Sequence, residues 1–143
     1  MSYPADVQRR IYVLMVLMKA ADDRLSKGIG TGEFMCVYWP SRGQEAIAAA
    51  MGVTLREDDQ LVTTYRGLHD LIGKGVPLQE IYGEMMGRTV GASRGKGGTM
   101  HIAKPEVGGD ALDGHRRRGA AGRCGTGDGG EAQGPGPRNR GEL

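Results

Sequence analysis

The chain reads as an α/β domain of which only the first part is present. Three observations carry that reading. Apolar residues recur at helical spacing in several segments. One short β-branched run lies between them. The composition then changes abruptly after residue 107.

The first segment is the clearest. Val7, Ile11, Leu14, Met18, Ala21 and Leu25 fall at i, i+4, i+7, i+11, i+14 and i+18, which is one face of a helix. The spacing predicts a helix from about Ala5 to Lys27, ended by Gly28, Gly30 and Gly32. A loop with Cys36, Tyr38, Trp39 and Pro40 follows. Ser41 and Gln44 have the Ser-x-x-Gln spacing of a capping box. Ala46, Ala50 and Val53 share the next face, so a second helix is expected to run to about Leu55, its small residues suited to close packing. Leu61–Tyr65 is β-branched and short, and reads as a strand closed by Arg66-Gly67. A short helix is expected near Leu68. Pro77 sits where a first helical residue belongs, with Leu78, Ile81, Tyr82 and Met85 on one face and Gly87 as the stop. The Gly-rich loop Gly91–Gly98 leads into Thr99-Met100-His101-Ile102. Helices around a buried strand suggest the opening of an α/β domain, and one strand does not make a sheet.

The rest of the chain is of another kind. Of 26 glycines in 143 residues, 12 fall in residues 108–143. That stretch has Leu112 and Leu143 as its only large apolar residues and no aromatic. It cannot bury enough surface to offset a chain entropy of roughly 1–2 kcal/mol per residue. Residues 110–143 are therefore expected to be a disordered low-complexity tail, and residues 1–109 the foldable part. The glycines have no G-X-Y period, which rules out collagen.

Charge and cysteine content narrow the class. Nineteen basic and 17 acidic residues leave a net charge of +2, against a strongly basic nucleic-acid binder or an acidic tail protein. The tail alone has six Arg against five acids, so an Arg/Gly module for RNA is the weaker alternative. Cys36 and Cys124 are too few for a disulfide framework and suit a reducing compartment. The longest apolar run, Ile11–Met18, is too short to span a bilayer. Lys19 and Asp22-Asp23 after it do not suit a signal peptide. A soluble cytoplasmic protein without a membrane partner is expected.

Three groups of residues could carry chemistry. Tyr65-Arg66 sits at the C-terminal end of the predicted strand, where open α/β sheets bind ligands. A guanidinium there can grip phosphate oxygens by two parallel hydrogen bonds, and a phenol can add another donor. The competing reading is a surface Arg beside a half-buried Tyr. Arg94-Gly95-Lys96-Gly97-Gly98 places two cations in a loop whose backbone N–H groups could cradle an anion. It lacks Walker A spacing, and it reads equally as a solvated loop. Of His69, His101 and His115, no pair has metal-ligand spacing on one helix, and there is no Cys-x-x-Cys.

Taken in series, these segments resemble one family. Gly43-Gln44-Glu45-Ala46, Asp58-Asp59, Thr64-Tyr65-Arg66-Gly67-Leu68-His69-Asp70, Gly73-Lys74-Gly75-Val76 and Gly95-Lys96-Gly97-Gly98-Thr99-Met100-His101 are similar in order and spacing to the alpha subunit of thiamine-diphosphate-dependent 2-oxoacid dehydrogenases. This is the E1 component family, which includes pyruvate, branched-chain and acetoin dehydrogenases. The resemblance covers roughly residues 5–109. It implies a thiamine-diphosphate-binding fold, a parallel sheet flanked by helices, of which this is the N-terminal part. It implies oxidative decarboxylation of a 2-oxo acid, with acyl transfer to a lipoyl E2 partner, in an α₂β₂ assembly with an E1 beta subunit. It points to Tyr65 and Arg66 as cofactor-binding residues on the diphosphate. It points to His101 as the catalytic residue near the reacting centre. Thr99 stands where the family has Ser. Leu68 stands where the family often has His, with His69 one place later, so the role of His69 is left open.

The family also implies Mg²⁺, held by a Gly-Asp-Gly…Asn segment of about thirty residues with oxygen ligands. Gly127-Asp128-Gly129 is not that segment, because no hydrophobic strand precedes it and 14 residues follow. The metal ligands are thus expected to be absent from the chain, and the chain is expected to be an inactive truncated fragment. The tail has an explanation of its own. Back-translation of Leu112–Cys124 with a shift of one base admits codons that read S-T-A-I-V-G-A-G-L-P-V-A-V, a family-like string. Residues from about Ala111 onward are therefore expected to be out-of-frame translation.

Overall fold

The computed structural model describes residues 3–110. The expected frame slip and disorder of the tail, and Cys124 and His115, lie outside the described residues. Helix α1 spans Ala5–Gly30, α2 Glu45–Thr54, α3 Leu68–Gly73 and α4 Leu78–Met85. Strands β1 (Leu61–Val62), β2 (Ala103–Lys104) and β3 (Gly109–Asp110) are two residues each, with a 3-10 turn at Pro105–Val107 between the last two.

The apolar stripe of α1 is used as its spacing predicts. Met18, Ala21 and Leu25 are buried, while Val7, Ile11 and Leu14 at the other end are half-buried. The helix does not stop at Gly28 as expected, but runs to Gly30. Gly28 is there for packing rather than termination: a Cβ on it would come 2.2 Å from the Phe34 ring. The chain reverses at Gly32, whose φ of +75° suits glycine. The Glu33 and Phe34 N–H groups then donate back to the Gly28 carbonyl at 2.8 and 3.1 Å.

Helices α2 and α3 pack against α1 and against each other. The small residues anticipated in α2 make this possible. Ala48 and Ala49 are buried, and Gly52 meets Gly73 backbone to backbone. The expected capping box does not form. Gln44 is the N-cap residue and makes no side-chain cap bond. Ser41 is buried, and its hydroxyl donates instead to the Arg66 carbonyl at 2.5 Å. A tertiary acceptor has displaced the local one.

The strand expected over Leu61–Tyr65 ends at Val62. The Thr63 hydroxyl bonds the Asp70 carboxylate, and the Gly67 N–H donates to the Thr64 carbonyl at 2.9 Å. These bonds fold residues 63–67 into a turn that enters α3 directly. The helix after Pro77 begins at Leu78, with Pro77 as its N-cap, and Gly87 follows it at a φ of +65°.

The expected sheet is met only in its smallest form. The strand order is β1-β3-β2, with β1 and β3 parallel (Leu61 beside Gly109) and β2 and β3 antiparallel (Lys104 beside Gly109). Two-residue strands cannot carry a core, so the buried apolar cluster is helical, centred on Met18, Leu25, Leu71 and Ile81, with Ile102 from the loop beyond α4. No helix among the described residues is long and apolar enough to cross a membrane.

Candidate functional site

The turn after β1 presents the Tyr65-Arg66 pair. Tyr65 is half-exposed, and its ring meets Trp39 edge-on, with centroids 5.6 Å apart and planes at 78°. The Arg66 guanidinium carbon lies 6.0 Å from the Tyr65 ring centroid. The Ser41 hydroxyl holds the Arg66 carbonyl, and the Arg66 N–H reaches the Thr64 Oγ1 at 3.3 Å. The backbone is thereby fixed from two sides while the side chains stay outward. Among the described residues Arg66 has no acidic partner within ion-pair distance. An exposed, unpaired guanidinium beside a phenol suits an incoming anion.

The Gly-rich loop has the cradle that its glycines suggest, but the cradle is filled from within. The Glu84 carboxylate, 0% exposed, accepts three backbone N–H bonds from this loop. Ser93 and Gly95 donate to its Oε2 at 2.7 and 2.9 Å, and Gly97 donates to its Oε1 at 2.5 Å. The side chains of Arg94 and Lys96 are exposed. The loop therefore takes an internal carboxylate, where the sequence left open an external anion or a solvated loop. It is not a freely solvated loop either.

His101 emerges from that loop exposed to solvent. Gly97 is packed beneath it: a Cβ there would come 2.0 Å from the His101 carbonyl oxygen. No hydrogen bond links His101 to Tyr65 or Arg66. The structure thus brings Tyr65, Arg66 and Trp39 together and mounts His101 on a separate support.

The family model described as "Dehydrogenase E1 component" matches residues 12–127, most of the chain. The chain belongs to the dehydrogenase E1 component family. Three curated relatives are alpha subunits. One named "Pyruvate dehydrogenase E1 component subunit alpha-1, mitochondrial", from Arabidopsis thaliana, is 39% identical over 97 residues, covering 68% of this chain and 24% of the relative. The corresponding alpha subunit of Schizosaccharomyces pombe is 45% identical over 75 residues, covering 52% of this chain and 18% of the relative. That of Rhizobium meliloti is 33% identical over 121 residues, covering 82% of this chain and 33% of the relative. The chain thus spans about a quarter of the length of the first of these relatives.

Two buried acids of this E1 chain escaped the sequence reading. Glu84 is one. Asp22 is the other, 1% exposed inside α1. The Tyr38 hydroxyl donates to the Asp22 Oδ1 at 3.0 Å, and the His69 Nε2 lies 3.5 Å from the Asp22 Oδ2. His69, whose role the family comparison left open, is fully buried in this cluster. Burial first, and then the Asp22 charge and its hydrogen bond, push the Tyr38 phenol well above its ordinary value. Both acids had a signal in the sequence. Asp22 stands four residues after Met18 and three before Leu25, and Glu84 three after Ile81, so each is a carboxylate on a buried face. No group of three His, Cys, Asp or Glu that could hold a metal ion stands among the described residues.

Proposed function

We propose that this chain is part of the alpha subunit of a thiamine-diphosphate-dependent 2-oxoacid dehydrogenase, with Tyr65 and Arg66 on the cofactor diphosphate and His101 at the reacting centre. The observation that carries the reading is the Arg66 guanidinium, exposed beside Tyr65 and without an acidic partner among the described residues, inside a segment that matches the E1 family. Its backbone carbonyl is held by Ser41, and among the described residues no acid lies within ion-pair distance of the guanidinium. Trp39 packs edge-on against Tyr65 and so holds the phenol ring beside the guanidinium.

Bound thiamine diphosphate supplies a thiazolium carbon nucleophile and an electron sink for decarboxylation. This chain's contribution is to bind the anionic end and to hold an exposed imidazole on the loop after α4. The relatives' names make pyruvate the 2-oxo acid to try first. An E1 beta subunit and a lipoyl E2 are the proposed partners, and a reducing, cytoplasm-like compartment the proposed setting. Mg²⁺ would need oxygen ligands from outside residues 3–110 or from the cofactor itself.

Thiamine diphosphate titrated into the full chain, followed by Trp39 fluorescence, tests the reading. Arg66→Ala is expected to weaken binding about tenfold or more, as the loss of charge-assisted hydrogen bonds would. Equal binding by the parent and Arg66→Ala chains would remove Arg66 from the site. The same titrations with inorganic pyrophosphate separate diphosphate recognition from contact with the rings.

A further inference from the structure

We infer that Glu84 is the positioning residue of His101: its carboxylate stands in the loop's anion cradle and fixes the height at which the loop presents the imidazole. The inference rests on the reading of His101 as the group at the reacting centre.

Glu84 lies in the last turn of α4, near the negative end of the helix dipole, where a buried carboxylate needs donors from elsewhere. The loop supplies three, at Ser93, Gly95 and Gly97. Both carboxylate oxygens are used, so the side chain cannot rotate without breaking a bond. The loop approaches this closely because its contacts are glycines. A Cβ on Gly91 would come 2.4 Å from the Glu84 Oε2, and one on Gly95 would come 2.5 Å from the Gly87 backbone. Gly83 is matched to the same approach, since a Cβ there would meet the Gly91 nitrogen at 2.9 Å. Arg94 takes a φ of 58°, uncommon outside glycine, and stands between the Ser93 and Gly95 N–H groups that reach the acid. The last donor, Gly97, is also the residue packed under the His101 carbonyl. Glu84, Gly97 and the His101 backbone are thus in direct succession, from the helix to the residue that carries the imidazole.

The test is hydrogen exchange and His101 imidazole NMR on the full chain, comparing the parent, Glu84→Ala and Glu84→Gln. In Glu84→Ala the Ser93, Gly95 and Gly97 amides are expected to exchange about tenfold faster or more. The His101 ring resonance is expected to move. Added acetate, which replaces the deleted carboxymethyl group, is expected to restore both in a saturable way. A generally loosened fold would not respond to acetate. Should Glu84→Ala lose protection throughout α4, Glu84→Gln decides, because it keeps the volume and one carbonyl acceptor. It is expected to open the loop amides while α4 stays protected. Unchanged loop amides in Glu84→Gln, or a His101 resonance that stays put while those amides open, overturns the inference. Failure of thiamine diphosphate to bind the parent chain would instead defeat the functional reading, and leaves the exchange result to stand alone.

Discussion

Gly52 of α2 and Gly73 of α3 meet backbone to backbone, so that a Cβ on Gly52 would lie 2.4 Å from the Gly73 carbonyl oxygen. In turn, a Cβ on Gly73 would lie 2.7 Å from the Ala48 carbonyl oxygen. The two helices are held at a separation only glycine permits, and Ala48 and Ala49 fill the seam.

Gly52→Ala therefore sets two effects against each other. Helix propensity favours Ala by about 1 kcal/mol. The clash is with backbone, which cannot swing aside, and overpacking of this kind costs about 1–3 kcal/mol. The clash is expected to win, giving a lower denaturation midpoint. Gly30→Ala is the control. It is also helical, has nothing within 4 Å of a new Cβ, and is expected to leave stability unchanged or slightly raised. Urea unfolding of both variants, followed by far-ultraviolet circular dichroism, checks the contrast.

Burial of the Tyr38 phenol, helped by the neighbouring Asp22 charge and hydrogen bond, makes stability fall in alkali. The folded Tyr38 phenol titrates well above its ordinary value of 10.0, so above that pH the folded state keeps a proton that the unfolded state gives up. The contribution is fully present below the unfolded value and is lost as pH rises toward the folded one. Tyr38→Phe removes this term. Its stability curve is expected to be flatter than the parent's above pH 10, by up to about 1.4 kcal/mol per pH unit for one proton. Parallel slopes for the two chains in denaturant titrations at pH 9, 10 and 11 would contradict the linkage.

Ser41→Ala should disconnect the Arg66 turn from the loop before α2. The lost bond leaves a partly buried carbonyl without its donor, at a cost of about 1–3 kcal/mol. Because the anchored residue is Arg66 itself, thiamine diphosphate affinity is expected to drop as well, whereas Thr at this position should retain both. A stability loss with no change in binding would mean that the turn is preorganised by its own bonds, which the Arg66 and Gly67 N–H groups donate to Thr64.

Local pattern alone settled the helices. The spacing from Val7 to Leu25 predicts α1, and Pro77 with Leu78, Ile81, Tyr82 and Met85 predicts α4, because 3.6-residue periodicity survives into any packing. The series of motifs from Gly43 to His101 was also enough to indicate the family, which the match over residues 12–127 shows. Where an element stops and what a polar group bonds are different matters. Gly28 reads as a stop and is a seat for Phe34; Ser41 reads as a cap and is a clasp for Arg66. The cradle in Gly91–Gly98 was legible, but its occupant was not. Glu84 lies nine residues or more from the N–H groups it accepts, and no local rule relates a helix acid to a later loop. Sequence thus determined the periodic faces and the kinship, which depend on neighbours along the chain. Tertiary structure decided the partners of Ser41, Asp22 and Glu84, because a buried polar group must bond whatever the fold brings within reach.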